Sequence, residues 1–127
     1  MENEFSLAFL TVKDIDPVDM VQTASETGYD YVGLRLLPAG TDGPYSILSD
    51  RAEQRNLRSA LTDTGVLVAD VEVVRINDSF ALEAFLPFFD VCSYLGAKHI
   101  LVVADDHDRA RLIDSYGVFL DKAAEFE

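Results

Sequence analysis

Gly28, Gly65 and Gly96 each close an amphipathic stretch, and each stands within four residues of an apolar run: TGYDYVGLRLL, TGVLVADVEVV and LGAKHILVVAD. Punctuation recurring at intervals of about three dozen residues marks a repeated supersecondary unit, here a strand followed by a helix. The unit occurs four times, and the sequence ends with the fourth. Four strand–helix units are half of an eightfold barrel and one strand short of a typical five-stranded doubly wound domain. The expected fold class is therefore α/β, with four consecutive βα units and parallel strands, either half of a (β/α)8 TIM barrel or an open doubly wound sheet.

A chain of 127 residues, 49% hydrophobic and 26% charged, is long enough for one core and has no linker or low-complexity tract, so residues 1–127 are read as a single half-barrel domain. Twenty-three acidic residues against ten basic ones give a net charge of −13. That balance repels phosphate backbones and anionic headgroups, so neither nucleic acid nor a membrane surface is an expected partner. No apolar run reaches membrane-spanning length, and the opening MENEF is acidic where a signal peptide is basic, which predicts a cytoplasmic protein. Cys92 is the only cysteine, which excludes an internal disulfide. Its place on an apolar helix face predicts an inert core thiol.

Strand one is read over Ser6 to Val12, and Asp16-Pro17 supplies an N-cap and a first helical residue for helix one, which runs to about Thr27. Strand two covers Tyr31 to Leu36. The segment LPAGTDGPYSILS after it, with two glycines and two prolines, is the longest stretch without periodicity, and long loops after strands are where α/β proteins keep their sites. Asp50 and Glu53 have the spacing of a capping box for helix two. Strand three is read over Val66 to Ile76, and helix three, from Phe80 to Leu95, is the most hydrophobic helix. Pro87 inside it predicts a kink, or a short first turn and a restart. Strand four is read over His99 to Ala104. Asp106 or Asp108 caps helix four, whose Ile113, Tyr116, Leu120 and Ala123 share one face. Nearly continuous apolar strands predict a parallel sheet covered on both faces, or a barrel with a packed interior.

The segments SLAFLTVKD, GYDYVGLRLLP, DTGVLVADVEVVRI and LGAKHILVVADD resemble the first four units of the sugar phosphate isomerase/epimerase family, which belongs to the xylose-isomerase-like TIM barrels. The resemblance covers nearly the whole chain and the N-terminal half of a family member. It implies a sugar or polyol substrate and a divalent metal, manganese, magnesium, cobalt or zinc, held by carboxylates and a histidine at the ends of strands five to eight. This sequence contains none of those strands, so no metal or other cofactor is expected to be held by this chain alone, and the isolated chain is expected to be inactive. Many members carry a histidine at or near the positions of Phe9, Glu72 and Val103, and this chain has one at none of them. Together with the net charge, this argues against the superfamily's apurinic-site endonuclease branch.

Side chains alternate faces along a strand. Phe9 and Thr11 thus share a face on strand one, as do Gly33 and Arg35 on strand two, Asp70 and Glu72 on strand three, and Val103 and Asp105 on strand four. In a barrel the last of each pair lies at the site-bearing end, so Thr11, Arg35, Glu72 and Asp105 are the candidate substrate-binding residues. Arg35 can hold a hydroxyl, carboxylate or phosphate through its forked donors, and Glu72 can orient Arg35 or accept from a hydroxyl. The alternative is that Arg35 and Glu72 neutralise each other across adjacent strands. No catalytic residue is assigned, because a base needs a matched partner that these four units do not supply.

Two other functions compete with an isomerase half. Four units leave unpaired strand edges and an apolar sheet face, which predicts a homo-oligomer, most simply a twofold dimer, with a structural or interaction role. A phosphoacceptor receiver domain matches the length and the acidic strand ends, but it requires a fifth strand ending in lysine and an aspartate closing strand three.

Overall fold

The computed structural model describes residues 2–39 and 43–126. Four parallel strands, β1 (Ser6–Leu7), β2 (Tyr31–Arg35), β3 (Leu67–Ile76) and β4 (His99–Ala104), form one sheet in the order 1-2-3-4. They alternate with α1 (Pro17–Thr27), α2 (Arg51–Thr64), α3 (Leu86–Leu95) and α4 (Arg109–Ala124). The fold is α/β, with consecutive βα units as the sequence predicts.

Local chemistry sets the helix boundaries. Asp16, Asp50 and Asp108 each accept hydrogen bonds from backbone N–H groups in the first turn of the following helix, satisfying donors that have no partner within the helix. Helices α1, α2 and α3 end on Gly28, Gly65 and Gly96 at φ of 82°, 75° and 72°, the left-handed conformation that a Cβ disfavours. Asp50 bonds the N–H groups of Ala52 and Glu53, but Glu53 does not complete a reciprocal box, because its carboxylate accepts from the Ser46 hydroxyl at 2.7 Å. Replacing Asp108 with Ala removes the acceptor held 3.0 Å from the Arg111 N–H. It should lower stability by about 1 kcal/mol, read as a shift in the urea midpoint.

Pro87 acts as a restart. A 3-10 turn over Leu82–Phe85 precedes α3, and Pro87 stands in the first turn, where its missing N–H would have had no helical partner.

Two elements differ from the sequence reading. Strand one ends at Leu7, and Phe9–Thr11 form a 3-10 turn in which the N–H groups of Thr11 and Val12 donate to the Ala8 and Phe9 carbonyls. An edge strand has one ladder neighbour to hold it extended, and turning here buries the Phe9 ring. In α4 the residue driven into the core is Phe119. Ile113, Tyr116 and Leu120 stay largely exposed, with Ile113 and Tyr116 flanking a groove along Val102 and Ala104 of the edge strand β4.

The core lies on one face of the sheet. Val32 and Leu34 of β2, Val68, Val71, Val74 and Ile76 of β3, and inward residues of all four helices form one buried cluster. Along β3 the buried positions fall three, three and two residues apart because the strand carries two register shifts, one against β2 at Val32/Gly33 and one against β4 between Val71 and Val74. Each inserts a residue and restores the apolar side chains to the helix-covered face. The expectation of two covered faces is met on one side only. On the other, Leu67 is 49% and Leu101 52% exposed.

Candidate functional site

The face opposite the helices carries the polar side chains of the strands in successive layers. At the C-terminal end of β2, Arg35 stands opposite Glu72 of β3. Its Nη2 donates to Glu72 Oε1 at 3.1 Å, with the two side chains only 8% and 17% exposed. The guanidinium lies 4.5 Å from the centre of the Phe9 ring. Phe9 in turn meets Tyr45 edge to face, with ring centroids 6.3 Å apart. The short β1 and the turn after it thus bring Phe9 over Arg35, so that a cation–π contact and an ion pair fix one planar group from two sides. A cavity of about 250 Å³ opens beside them, bordered by Phe9, Lys13, Arg35, Tyr45, Ser46 and Glu53. Arg35 and Glu72 present a forked cation and a carboxylate beside an aromatic wall, the chemistry that suits hydroxyl-rich or anionic small molecules.

The polar ring expected from strand parity is divided. Arg35 and Glu72 are joined. Asp105 lies just beyond β4, held by its N–H to the Ile76 carbonyl at 2.8 Å, and its carboxylate accepts from Arg75 Nη1 at 3.2 Å in an exposed pair. Thr11 is exposed on the 3-10 turn, outside the strand on which its orientation was predicted. Phe9, Tyr45 and Arg75 were missed. Strand parity cannot find residues supplied by a turn, and Arg75 sits beyond the second register shift of β3.

One layer towards the strands' N-terminal ends, Gly33, Asp70 and His99 stand side by side across β2, β3 and β4. A Cβ at Gly33 would lie 2.9 Å from Asp70 Oδ1, so the glycine makes room for the carboxylate. Burial raises the Asp70 pKa from its ordinary 3.8, and the charge of His99 opposes the rise. A carboxyl whose folded pKa lies above its unfolded value destabilises the fold once ionised, and the penalty disappears as pH falls below the unfolded value. Asp70→Asn should therefore stabilise the chain at pH 7 and have no such effect near pH 3, as read by thermal unfolding at the two pH values.

In the lowest layer, Tyr31 donates to Glu4 Oε1 at 3.2 Å and accepts from Lys98 Nζ at 3.0 Å. That hydrogen bond raises the Lys98 pKa. Elsewhere, Asp106 receives a forked pair of hydrogen bonds from Arg111 at 2.6 and 2.8 Å, which lowers its pKa. Burial pushes the Cys92 thiol up to about 12, so it carries no thiolate at neutral pH. His107 is exposed. Among the described residues, no three His, Cys, Asp or Glu side chains converge as metal ligands.

No protein-family profile matches the chain, and no curated protein does. Solved structures do. The probable 3-DHS dehydratase AsbF, involved in petrobactin synthesis in Bacillus anthracis, superposes with a TM-score of 0.70 at 15% identity over 98% of this chain and 49% of its own. A xylose isomerase-like TIM barrel/4-hydroxyphenylpyruvate dioxygenase fusion protein gives 0.71 at 18% identity over 99% of this chain and 21% of that one. This chain has the fold of half a TIM barrel. A xylose isomerase domain protein from Alicyclobacillus acidocaldarius agrees, with a TM-score of 0.60 at 20% identity over 97% of the half-barrel and 45% of the solved chain. The half-barrel spans about half the length of AsbF and of the Alicyclobacillus protein. At these identities the fold is what is shared. Among the described residues, no helix of the half-barrel is long and apolar enough to cross a membrane.

Proposed function

We propose that this chain is the N-terminal, substrate-contacting half of a sugar or sugar-phosphate isomerase/epimerase barrel, in which Arg35 and Glu72 hold a polyol or acid group and the divalent metal is bound by residues of the other half. The observation that carries this reading is the Arg35–Glu72 pair fixed beneath Phe9 at the C-terminal end of the sheet, beside a cavity. Active sites of such barrels are built at that end and draw on several strands. By itself the chain should show no turnover of aldoses or ketoses with manganese, cobalt or magnesium added. Tight, stoichiometric metal binding by calorimetry that Glu72→Gln abolishes would overturn the proposal. In a barrel completed by four further βα units, Arg35→Ala should raise KM several-fold and change kcat less, the signature of lost uniform binding. A collapse of kcat at constant KM would instead place Arg35 at the reacting centre.

A second reading is a half-barrel that self-associates. It is favoured by Leu67 and Leu101, exposed on the uncovered sheet face, and by the outer edges of β1 and β4, to which no strand is bonded among the described residues. A twofold dimer would cover both. A mass in solution equal to one chain at all concentrations would rule it out.

A further inference from the structure

Between α2 and α3 lies a groove of about 610 Å³ that shares no lining residue with the cavity beside Arg35. Its apolar lining is Leu48, Pro87, Val91 and Tyr94, and its charged lining is Arg51 and Arg55 of α2 and Asp90 of α3. Arg58, one turn beyond Arg55, donates from Nη1 to the Tyr94 carbonyl at 2.8 Å, with its guanidinium 4.5 Å from the centre of the Tyr94 ring. Positions 51, 55 and 58 follow the i, i+4, i+7 spacing that puts side chains on one face of a helix, so three guanidinium groups form a row about 10 Å long.

This row runs against the composition of the chain. Acidic residues outnumber basic ones by 23 to 10, and Arg35, Arg75, Arg111 and Lys122 are each paired with a carboxylate of the same chain. Among the described residues, Arg51 and Arg55 make no ion pair. Three arginines against the single carboxylate of Asp90 leave a positive patch on a molecule of net charge −13. Arginine and tyrosine are also the residues that recur at the centres of protein interfaces, where each covers apolar area and keeps a polar end. Arg58 is already held by two contacts, so it loses little freedom when a partner arrives.

We propose that the α2–α3 groove docks an acidic amphipathic helix of a partner protein, its carboxylates meeting Arg51, Arg55 and Arg58 and its apolar residues covering Leu48, Pro87 and Tyr94. Charge selects this occupant. An acidic segment is repelled by the net charge of the chain and attracted at this row, so repulsion elsewhere helps to fix where it binds. A helix is the matching shape, because carboxylates at i, i+4 and i+7 repeat the spacing of the arginines.

The probe is a synthetic peptide of about 16 residues, long enough to hold a helix, with glutamates at i, i+4 and i+7 and leucines between them. It is titrated into the isotope-labelled whole chain and followed by NMR. Amide shifts should concentrate in α2 and α3, and raising salt from about 0.05 to 0.5 M should weaken binding. Arg51 and Arg55 are exposed, so the double variant Arg51→Gln/Arg55→Gln should unfold like wild type and bind the peptide roughly tenfold more weakly. The reversal Arg51→Glu/Arg55→Glu should instead bind a peptide in which lysines replace the glutamates. Absent shifts, shifts outside α2 and α3, equal binding by the double glutamine variant, or binding that strengthens with salt would overturn the proposal. So would saturation of the groove by inorganic phosphate alone, which would make the ligand a small anion. A mass above one chain that the double glutamine variant loses would overturn it as well, by making the occupant a second copy.

Discussion

Phe119→Ala is expected to lower the stability of this chain by about 3–5 kcal/mol, a change of roughly two to four orders of magnitude in the folding equilibrium. Phe119 is 1% exposed and is the fully buried residue of α4. Its ring lies 5.0, 5.7 and 6.4 Å, centroid to centroid, from Phe89, Phe85 and Phe80. Those three belong to α3 and to the segment leading into it, so one side chain ties the last helix to the body of the core. Of the remaining apolar residues of α4, Ile113, Tyr116, Val118 and Leu120 are substantially exposed, and Leu112 and Ala123 are only partly buried against the core. Truncation therefore leaves a cavity and weakens the attachment of the helix. Chemical denaturation should show the loss, with α4 amides losing hydrogen-exchange protection first. A decrease below about 1 kcal/mol would mean that the surrounding phenylalanines collapse into the space.

The second large effect concerns the Arg35–Glu72 pair. Glu72 has Arg35 as its ion-pair partner across the sheet, and its side chain is 17% exposed. Arg35→Met keeps an apolar side chain against Phe9 but leaves that carboxylate without its cation, which should destabilise the chain by about 1–3 kcal/mol. Adding Glu72→Leu removes the orphaned charge and should recover most of the loss. The double mutant is thus expected to be more stable than Arg35→Met alone, with a coupling well outside simple additivity. If the two losses simply added, the pair would be contributing little to stability.

Periodicity and punctuation made most of the architecture legible. Strands two and four, the helix-ending glycines at 28, 65 and 96, the aspartate caps and the restart at Pro87 all follow from interactions within a few residues of each other, and such interactions are written in order along the chain. The pairing of Arg35 with Glu72 was also accessible, because adjacent parallel strands of known parity bring defined residues opposite one another. What the sequence alone could not decide depends on contacts between distant segments. Whether Ser6 to Val12 stays extended depends on what lies over Arg35, and the answer, that it turns at Phe9 to cover the guanidinium, is a tertiary one. The register shifts in β3 leave no mark in a run of valines, yet they place Asp70 opposite His99 and Arg75 where Asp105 can reach it. Phe119 is buried in place of the Ile113–Tyr116–Leu120 stripe because it meets Phe80, Phe85 and Phe89, contacts between segments far apart in the sequence. Local chemistry determined which segments become helices and strands; the packing of those segments decided which polar side chains meet, because a side chain's partner is chosen by distance in space and not along the sequence.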